Sequence, residues 1–207
     1  WGATLTTSTP IIINARFTAL ACTATGAVLG SAGATQVFAD FPGAPKAGTL
    51  YSYALANKLY GSEISDAPGA QINSNFNANL GKPGCLTGTS FYLGLDANHG
   101  TNIDFVATLL HEMGHGVGFQ TFTSGSTGAQ FAGYPSAWDH HLLDNMTNKL
   151  WVNMTNAERA ASALKFGGLS WTGANVSAAA RNVLSPLKQL RVIGAGAKEA
   201  GGIYTVG

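Results

Sequence analysis

An α+β fold organised as one domain over residues 1–207 is what this sequence predicts. Three observations carry the prediction. The N-terminal stretch is β-branched and punctuated by glycine. The middle holds an apolar, helix-forming run that ends in His111-Glu112-Met113-Gly114-His115. The C-terminal part opens its helices on capping residues such as Thr155. No internal repeat and no linker composition divides the chain, and its length is sufficient for a hydrophobic core.

Ile11, Ile12 and Ile13 read as a strand, and Arg16 to Cys22 and Ala27 to Leu29 extend the β-rich start. Gln36 to Phe41 reads as a further strand, ended by Pro42-Gly43. Leu50, Tyr51, Ala54, Leu55, Lys58 and Leu59 recur at helical spacing, with Gly61 as the stop. Asp66 to Leu80 is polar around Ile72 and Phe76 and suits a strand with a long loop. Thr89 to Leu95 reads as a strand ending in the turn 96–100. Thr101 is an expected N-cap, with Asp104 as its capping partner, for a helix from Asn102 to about Gly116. Ile103, Val106, Leu110 and Met113 are expected on its buried side. Gly114 suits close packing, and Gly116 and Gly118 suit the exit from the helix. Thr121 to Gly133 reads as an outward loop. Ser136 is the expected cap of a helix from Ala137 to Met146. Thr155 with Glu158 forms a capping box for a helix through about Phe166. Trp171 to Val176 suits a turn or short strand, Val176 to Leu184 a helix, and Leu190 to Val206 a β-like tail.

Charged residues make up 10% of the chain, the formal charge is +1, and there are 27 glycines. Such a neutral surface offers nothing to steer the protein toward nucleic acid or an anionic membrane. Apolar runs are too short to span a bilayer. No signal peptide remains at the N-terminus, and Trp1 suits a processed product. Cys22 and Cys85 are an even pair in a lysine-poor chain. One disulfide and an oxidising compartment are expected, and neither cysteine has CxxC spacing.

His111 and His115 are four apart on the expected helix and therefore share a face. Two neutral imidazoles can hold one zinc ion, and Glu112 beside them can take a proton from water. The chain has only 5 histidines, and this pair uses two of them. A catalytic zinc wants a third protein ligand. The metzincin pattern HExxHxxGxxH, or the same ending in Asp, places it where this chain has Thr121, after Gly118. A neutral hydroxyl is a poor zinc ligand, so the third must come from elsewhere. Asp139, His140, His141 and Asp144 are all chemically able. They cannot all face one ion from a helix.

The chain resembles a family of secreted bacterial proteins in which an HExxHGxGF zincin-type metallopeptidase domain usually precedes a protease-associated domain. The resemblance spans nearly the whole chain. It is carried by residues 91–96, 111–119, 134–144, 154–162 and 169–176. It implies a single zincin-like domain with a twisted sheet and a catalytic HExxH helix. It also implies Asp139 as third ligand, since that position matches the family's recurring acidic residue. His140 and His141 are the alternatives. No protease-associated segment is present in these residues.

In that scheme Zn²⁺ is the cofactor, Glu112 the general base, and Tyr134 or His141 the second oxyanion donor. Thr89 to Leu95 is expected to be the edge strand that pairs with an extended peptide. Met146 and Met154 are expected in ordinary core packing. Asp96, Asn98 and Asp104 have oxygens suited to Ca²⁺, although turn formation accounts for Asp96 and Asn98 equally well. The expected protein is a secreted, monomeric zinc endopeptidase acting on protein or peptide substrates, with no nucleic-acid or membrane partner. The alternative is a non-catalytic metal-binding or adhesion domain, motivated by Thr121.

Overall fold

Helices and short strands alternate through the computed structural model, which describes residues 3–165, 167–183 and 191–192. Among those residues there are four α-helices and several small sheets, consistent with the α+β expectation. Contacts group the chain into two compact units: residues 1–45 with 51–119, and residues 46–50 with 120–207.

The first unit holds β1 (Ile13–Thr18), β2 (Gly30–Ala34), β3 (Val37–Phe38), β4 (Tyr51–Ser52), α1 (Tyr53–Tyr60), β5 (Ile72–Asn77), β6 (Phe91–Tyr92), β7 (Ile103–Asp104) and α2 (Phe105–Gly116). β5 is central in a three-stranded sheet, parallel to β1 and antiparallel to β2. Its side chains alternate as a half-buried strand requires. Ile72, Ser74 and Phe76 are buried, whereas Asn73 is exposed. On the exposed face Asn14 donates to Asn73 at 3.2 Å and Arg16 to Asn75 at 2.8 Å. α2 packs on β2 and β5. Phe105, at its start, joins Phe17, Phe76 and Phe91 in an aromatic cluster with centroids 4.8–6.2 Å apart.

α1 stops as expected. Gly61 adopts φ 90° and its N–H closes on the Asn57 carbonyl at 2.9 Å. The start of α2 differs from the expectation. Ile103 and Asp104 pair in parallel with Phe91 and Tyr92 as a strand. Asp104, not Thr101, is the N-cap, accepting from the N–H groups of Val106 and Ala107 at 2.8 and 3.2 Å. The expected buried stripe is corrected too, because Leu110 is exposed while Glu112, Met113 and Gly116 are buried. Close packing belongs to Gly116 rather than Gly114. A Cβ on Gly116 would lie 2.5 Å from Ile72, whereas one on Gly114 would meet nothing within 4 Å.

Cys22 and Cys85 form a disulfide across a sequence separation of 63. It joins the segment entering β2 to the segment leaving β5. Loop-closure entropy of that length stabilises by about 4 kcal/mol.

The second unit holds β8 (Leu142–Asp144), β9 (Lys149–Leu150), α3 (Asn156–Ala163), β10 (Leu169–Trp171), α4 (Ala174–Val183) and β11 (Arg191–Val192). Its antiparallel sheet runs β11-β10-β8-β9. Trp138, Leu142, Trp151, Met154, Ala163 and Leu169 form the core, with Trp171 packed against it. The Thr155–Glu158 capping box is present and opens α3.

The expected helix from Ala137 to Met146 is instead a 3-10 turn, Asp139–His141, followed by β8. Pairing of Leu142 with Trp171 and of Leu143 with Ser170 outcompetes local helix propensity. Thr121 to Gly133 is not an open loop. A bridge pairs Thr123 with Gln130, and Ser124 bonds Ala129 and Gly128 through the backbone. The expected helix end at Leu184 and the β-like tail, apart from Arg191–Val192, lie outside the described residues, as does Phe166.

Candidate metal centre

α2 brings the two histidines together as their spacing requires. The Nε2 atoms of His111 and His115 lie 3.1 Å apart. Two nitrogens bound to one tetrahedral zinc at ~2.0–2.1 Å would be separated by roughly 3.3 Å. The Nδ1 of His115 is 2.8 Å from the Phe119 carbonyl. A carbonyl only accepts, so Nδ1 carries the proton and Nε2 keeps its lone pair. Fixing the tautomer through the second ring nitrogen is what a ligating imidazole needs. Gly118, at φ +121°, turns the chain so that Phe119 returns its carbonyl to the helix end. Burial, with the neighbouring His115 charge, pulls the pKa of His111 down and favours its neutral form. This pair of donors fits zinc. Among the described residues no group of three or more His, Cys, Asp or Glu gathers around a common point. The coordination that the structure builds is the pair.

Glu112 is 6% exposed. Burial raises its pKa, opposed by His115 and by a hydrogen bond from the backbone N–H of Ala32. Its stem lies against Gly30, where an added Cβ would be 3.0 Å from Cγ and 3.1 Å from Oε1. Sequence reading did not single out Gly30 or Ala32, because a Gly-Ser-Ala-Gly-Ala strand carries no β-branched signal. The strand expected beside the helix, Thr89 to Leu95, is reduced to β6, and it pairs with β7. The antiparallel edge strand packed along α2 is β2.

Asp139 is fully buried in the second unit. Its Oδ1 accepts from Thr121 at 2.6 Å, and its Oδ2 accepts from the Thr123 hydroxyl at 2.8 Å and the Ser136 N–H at 2.9 Å. The Asp139 N–H returns a bond to the Ser136 hydroxyl at 3.1 Å. Asp139 thus opens a 3-10 turn rather than a long helix, tied reciprocally to Ser136, with three of about four carboxylate acceptor positions taken. Thr121, at the last position of the HExxHxxGxxH pattern, contributes a hydroxyl to Asp139.

The other candidates have their own partners. His140 Nε2 lies 2.9 Å from the Thr49 hydroxyl. Burial and then Lys46 lower its pKa, and the same two causes act on His141. The His141 ring packs on Trp171 with centroids 4.7 Å apart. Tyr134 is 40% exposed. Met154 is buried in the core as expected, but Met146 is 76% exposed, because it follows a surface turn rather than continuing a helix. Asp96 accepts from the Tyr92 hydroxyl and the Asn98 N–H, and Asp104 caps α2. Turn and cap formation therefore account for the acidic residues considered for calcium.

Asp144 caps the turn after β8, accepting from Met146 and Thr147 N–H at 2.8 Å each. Burial alone would raise its pKa. Hydrogen bonds from Ser162, Thr147 and Met146, with the Lys165 charge, outweigh burial and hold it at about 2. Its folded pKa lies below the ordinary value, so its stabilisation is complete above 3.8 and is lost as pH falls toward about 2. At neutral pH it is worth on the order of 2 kcal/mol. Asp144→Asn should lower neutral stability by a similar amount and flatten that acid limb. Urea midpoints measured from neutral to acid pH check this, and an unchanged acid limb would count against it.

No known protein family, curated protein or solved structure matches this chain. Among the described residues, no helix is long and apolar enough to cross a membrane.

Proposed function

We propose that the protein is a secreted zinc endopeptidase of zincin type. The observation that carries this is the convergence of the His111 and His115 Nε2 atoms at 3.1 Å, with Glu112 between them in sequence on α2. The Cys22–Cys85 disulfide is consistent with an oxidising compartment. Zinc, when bound, supplies a Lewis acid that polarises the scissile carbonyl and acidifies water. His111 and His115 would hold it through Nε2. Glu112 accepts the proton of the attacking water at its carboxylate and delivers it to the leaving amine. Burial raises the pKa of Glu112, which strengthens it as a base. β2 offers an edge for an extended peptide at Gly30 and Ala34, since among the described strands it pairs only with β5. Asp139 as third ligand, and Tyr134 or His141 as oxyanion donor, enter this proposal from the sequence alone.

Purified protein should cleave an unfolded protein substrate, lose that activity on chelation, and regain it with stoichiometric Zn²⁺. Persistent cleavage in chelator, or zinc binding without turnover, would sink the endopeptidase assignment. A non-catalytic metal-binding domain is the second reading. It is favoured by the lack of a three-ligand group among the described residues, and zinc binding without turnover is the outcome it requires.

A further inference from the structure

Glu112 does not project freely from α2. The register of β2 against β5 shows why. The Thr35 N–H bonds the Gln71 carbonyl and the Asn77 N–H bonds the Leu29 carbonyl, so 35/71 and 29/77 are hydrogen-bonded pairs. Alternation in an antiparallel ladder then turns the N–H and C=O of residues 30, 32 and 34 away from β5. α2 packs along β2, and the outward N–H of Ala32 is turned toward the Glu112 carboxylate, where it favours the charged form. Two residues earlier on the same strand, Gly30 receives the Glu112 stem. A side chain there would come within 3.0 Å of Cγ, 3.1 Å of Oε1 and 3.2 Å of the Asn75 carbonyl oxygen. The φ of Gly30 is not in the left-handed region, so conformation does not demand glycine. Glycine also weakens a strand interior. Space for Glu112, beside the Asn75 carbonyl, is the reason left for it.

We propose that Gly30 and Ala32 are positioning residues for the general base: Gly30 by leaving room for the Glu112 stem, and Ala32 by turning the N–H that the β2–β5 ladder leaves unused toward its carboxylate. A glutamate side chain has three torsions to fix, and a base displaced by about 1 Å loses on the order of 10²-fold in rate. β2 fixes it without contributing an atom to the reaction. The catalytic consequence rests on Glu112 being the base, as proposed above. The seat itself does not.

The test therefore reads both. Gly30→Ala in the zinc-loaded protein should lower kcat by roughly 10–100-fold, with KM and zinc stoichiometry retained. Ala32→Pro removes only the outward N–H, which the β2–β5 ladder does not use, and should also lower kcat with zinc retained. Melting temperature closes a double-mutant cycle. Gly30→Ala should lower Tm by roughly 2–10 °C beside Glu112 and by clearly less in a Glu112→Ala background. The Asn75 contact is common to both backgrounds and cancels. The Ala32 amide resonance should shift, and its exchange should quicken by about tenfold or more, when Glu112 is truncated to Ala. An equal Tm loss in both backgrounds, or an Ala32 amide indifferent to Glu112→Ala, would overturn the seat. If Gly30→Ala does not fold alone, Ala32→Pro and the amide measurement still decide. Should the wild type show no hydrolysis, the endopeptidase assignment fails while the melting and amide results still judge the seat.

Discussion

Glu112→Gln should reduce kcat by roughly 10²–10⁴-fold while zinc stoichiometry stays at the wild-type value and thermal stability is equal or higher. Glutamine matches the length of glutamate, so it fits against Gly30, and its amide oxygen can face the Ala32 N–H. What it lacks is the capacity to take a proton. The stability half of the expectation follows from burial. The pKa of Glu112 is raised by burial, against the opposing effects of His115 and the Ala32 N–H. For an acid whose folded pKa lies above its unfolded value, the unfolded chain releases its proton first as pH rises. The contribution of Glu112 to stability is then greatest at low pH and declines through the window between the two values. A neutral amide escapes that decline. The gap in stability between Glu112→Gln and wild type should widen as pH rises past the ordinary carboxylate range, then level off. Single-turnover rates with matched zinc content, and denaturant midpoints across that range, check the two halves. Near wild-type cleavage by Glu112→Gln would remove Glu112 from the chemistry. Lost zinc would mean that the residue acts on the metal rather than on the proton.

The features legible in the sequence are those that depend on near neighbours along the chain. Gly61 ends α1 because a left-handed residue closes a helix wherever one stops. Thr155 and Glu158 announce α3 because their bonds span only three residues. The His111–His115 pair follows from helical spacing alone. The features that escaped are set by distant partners. β2 is built from Gly, Ser and Ala, and only its register against β5 brings it against Glu112. Ile103 looks like part of a helix, but its N–H is taken by the Ser90 carbonyl at 3.0 Å. Leu142 and Leu143 suit a helix equally well until β10 pairs with them. Asp139 is an expected ligand only through the family resemblance, since residue type alone leaves His140, His141 and Asp144 equally able. Nothing local foretold that Thr121 and Thr123, sixteen or more residues earlier, would donate to it. A buried arginine was likewise invisible. Arg159 follows a capping box on α3, where nothing local marks it as buried, and it is 5% exposed and binds the carbonyls of Gly128, Trp151 and Met154.

Gly128→Ala should destabilise the second unit by about 3–5 kcal/mol, far more than an ordinary loop substitution. A Cβ at Gly128 would lie 1.8 Å from the Asn156 carbonyl oxygen, 2.7 Å from its carbon and 2.8 Å from the Ala160 nitrogen. All three are backbone atoms of α3, so no rotamer change relieves the collision, and the hairpin 121–133 must lift from the helix. Lifting it breaks the 2.7 Å bond from Arg159 Nε to the Gly128 carbonyl. A buried guanidinium then loses an acceptor where water does not readily replace it. The same hairpin carries Thr121 and Thr123, so the carboxylate of Asp139 loses its hydroxyl donors as well. Part of the cost is conformational, because Gly128 sits at φ +67°. Gly133→Ala separates the two contributions. Gly133 has φ +79° and meets nothing within 4 Å, so it should lose only the roughly 1–2 kcal/mol of left-handed strain. Denaturant midpoints of the two variants, with limited proteolysis within 121–133 as a local probe, measure the difference. Equal and mild losses would mean that the hairpin yields freely and that Arg159 does not pin it. A large excess for Gly128→Ala, with early cleavage inside the hairpin, would show that the contact with α3 holds Thr121 and Thr123 against Asp139.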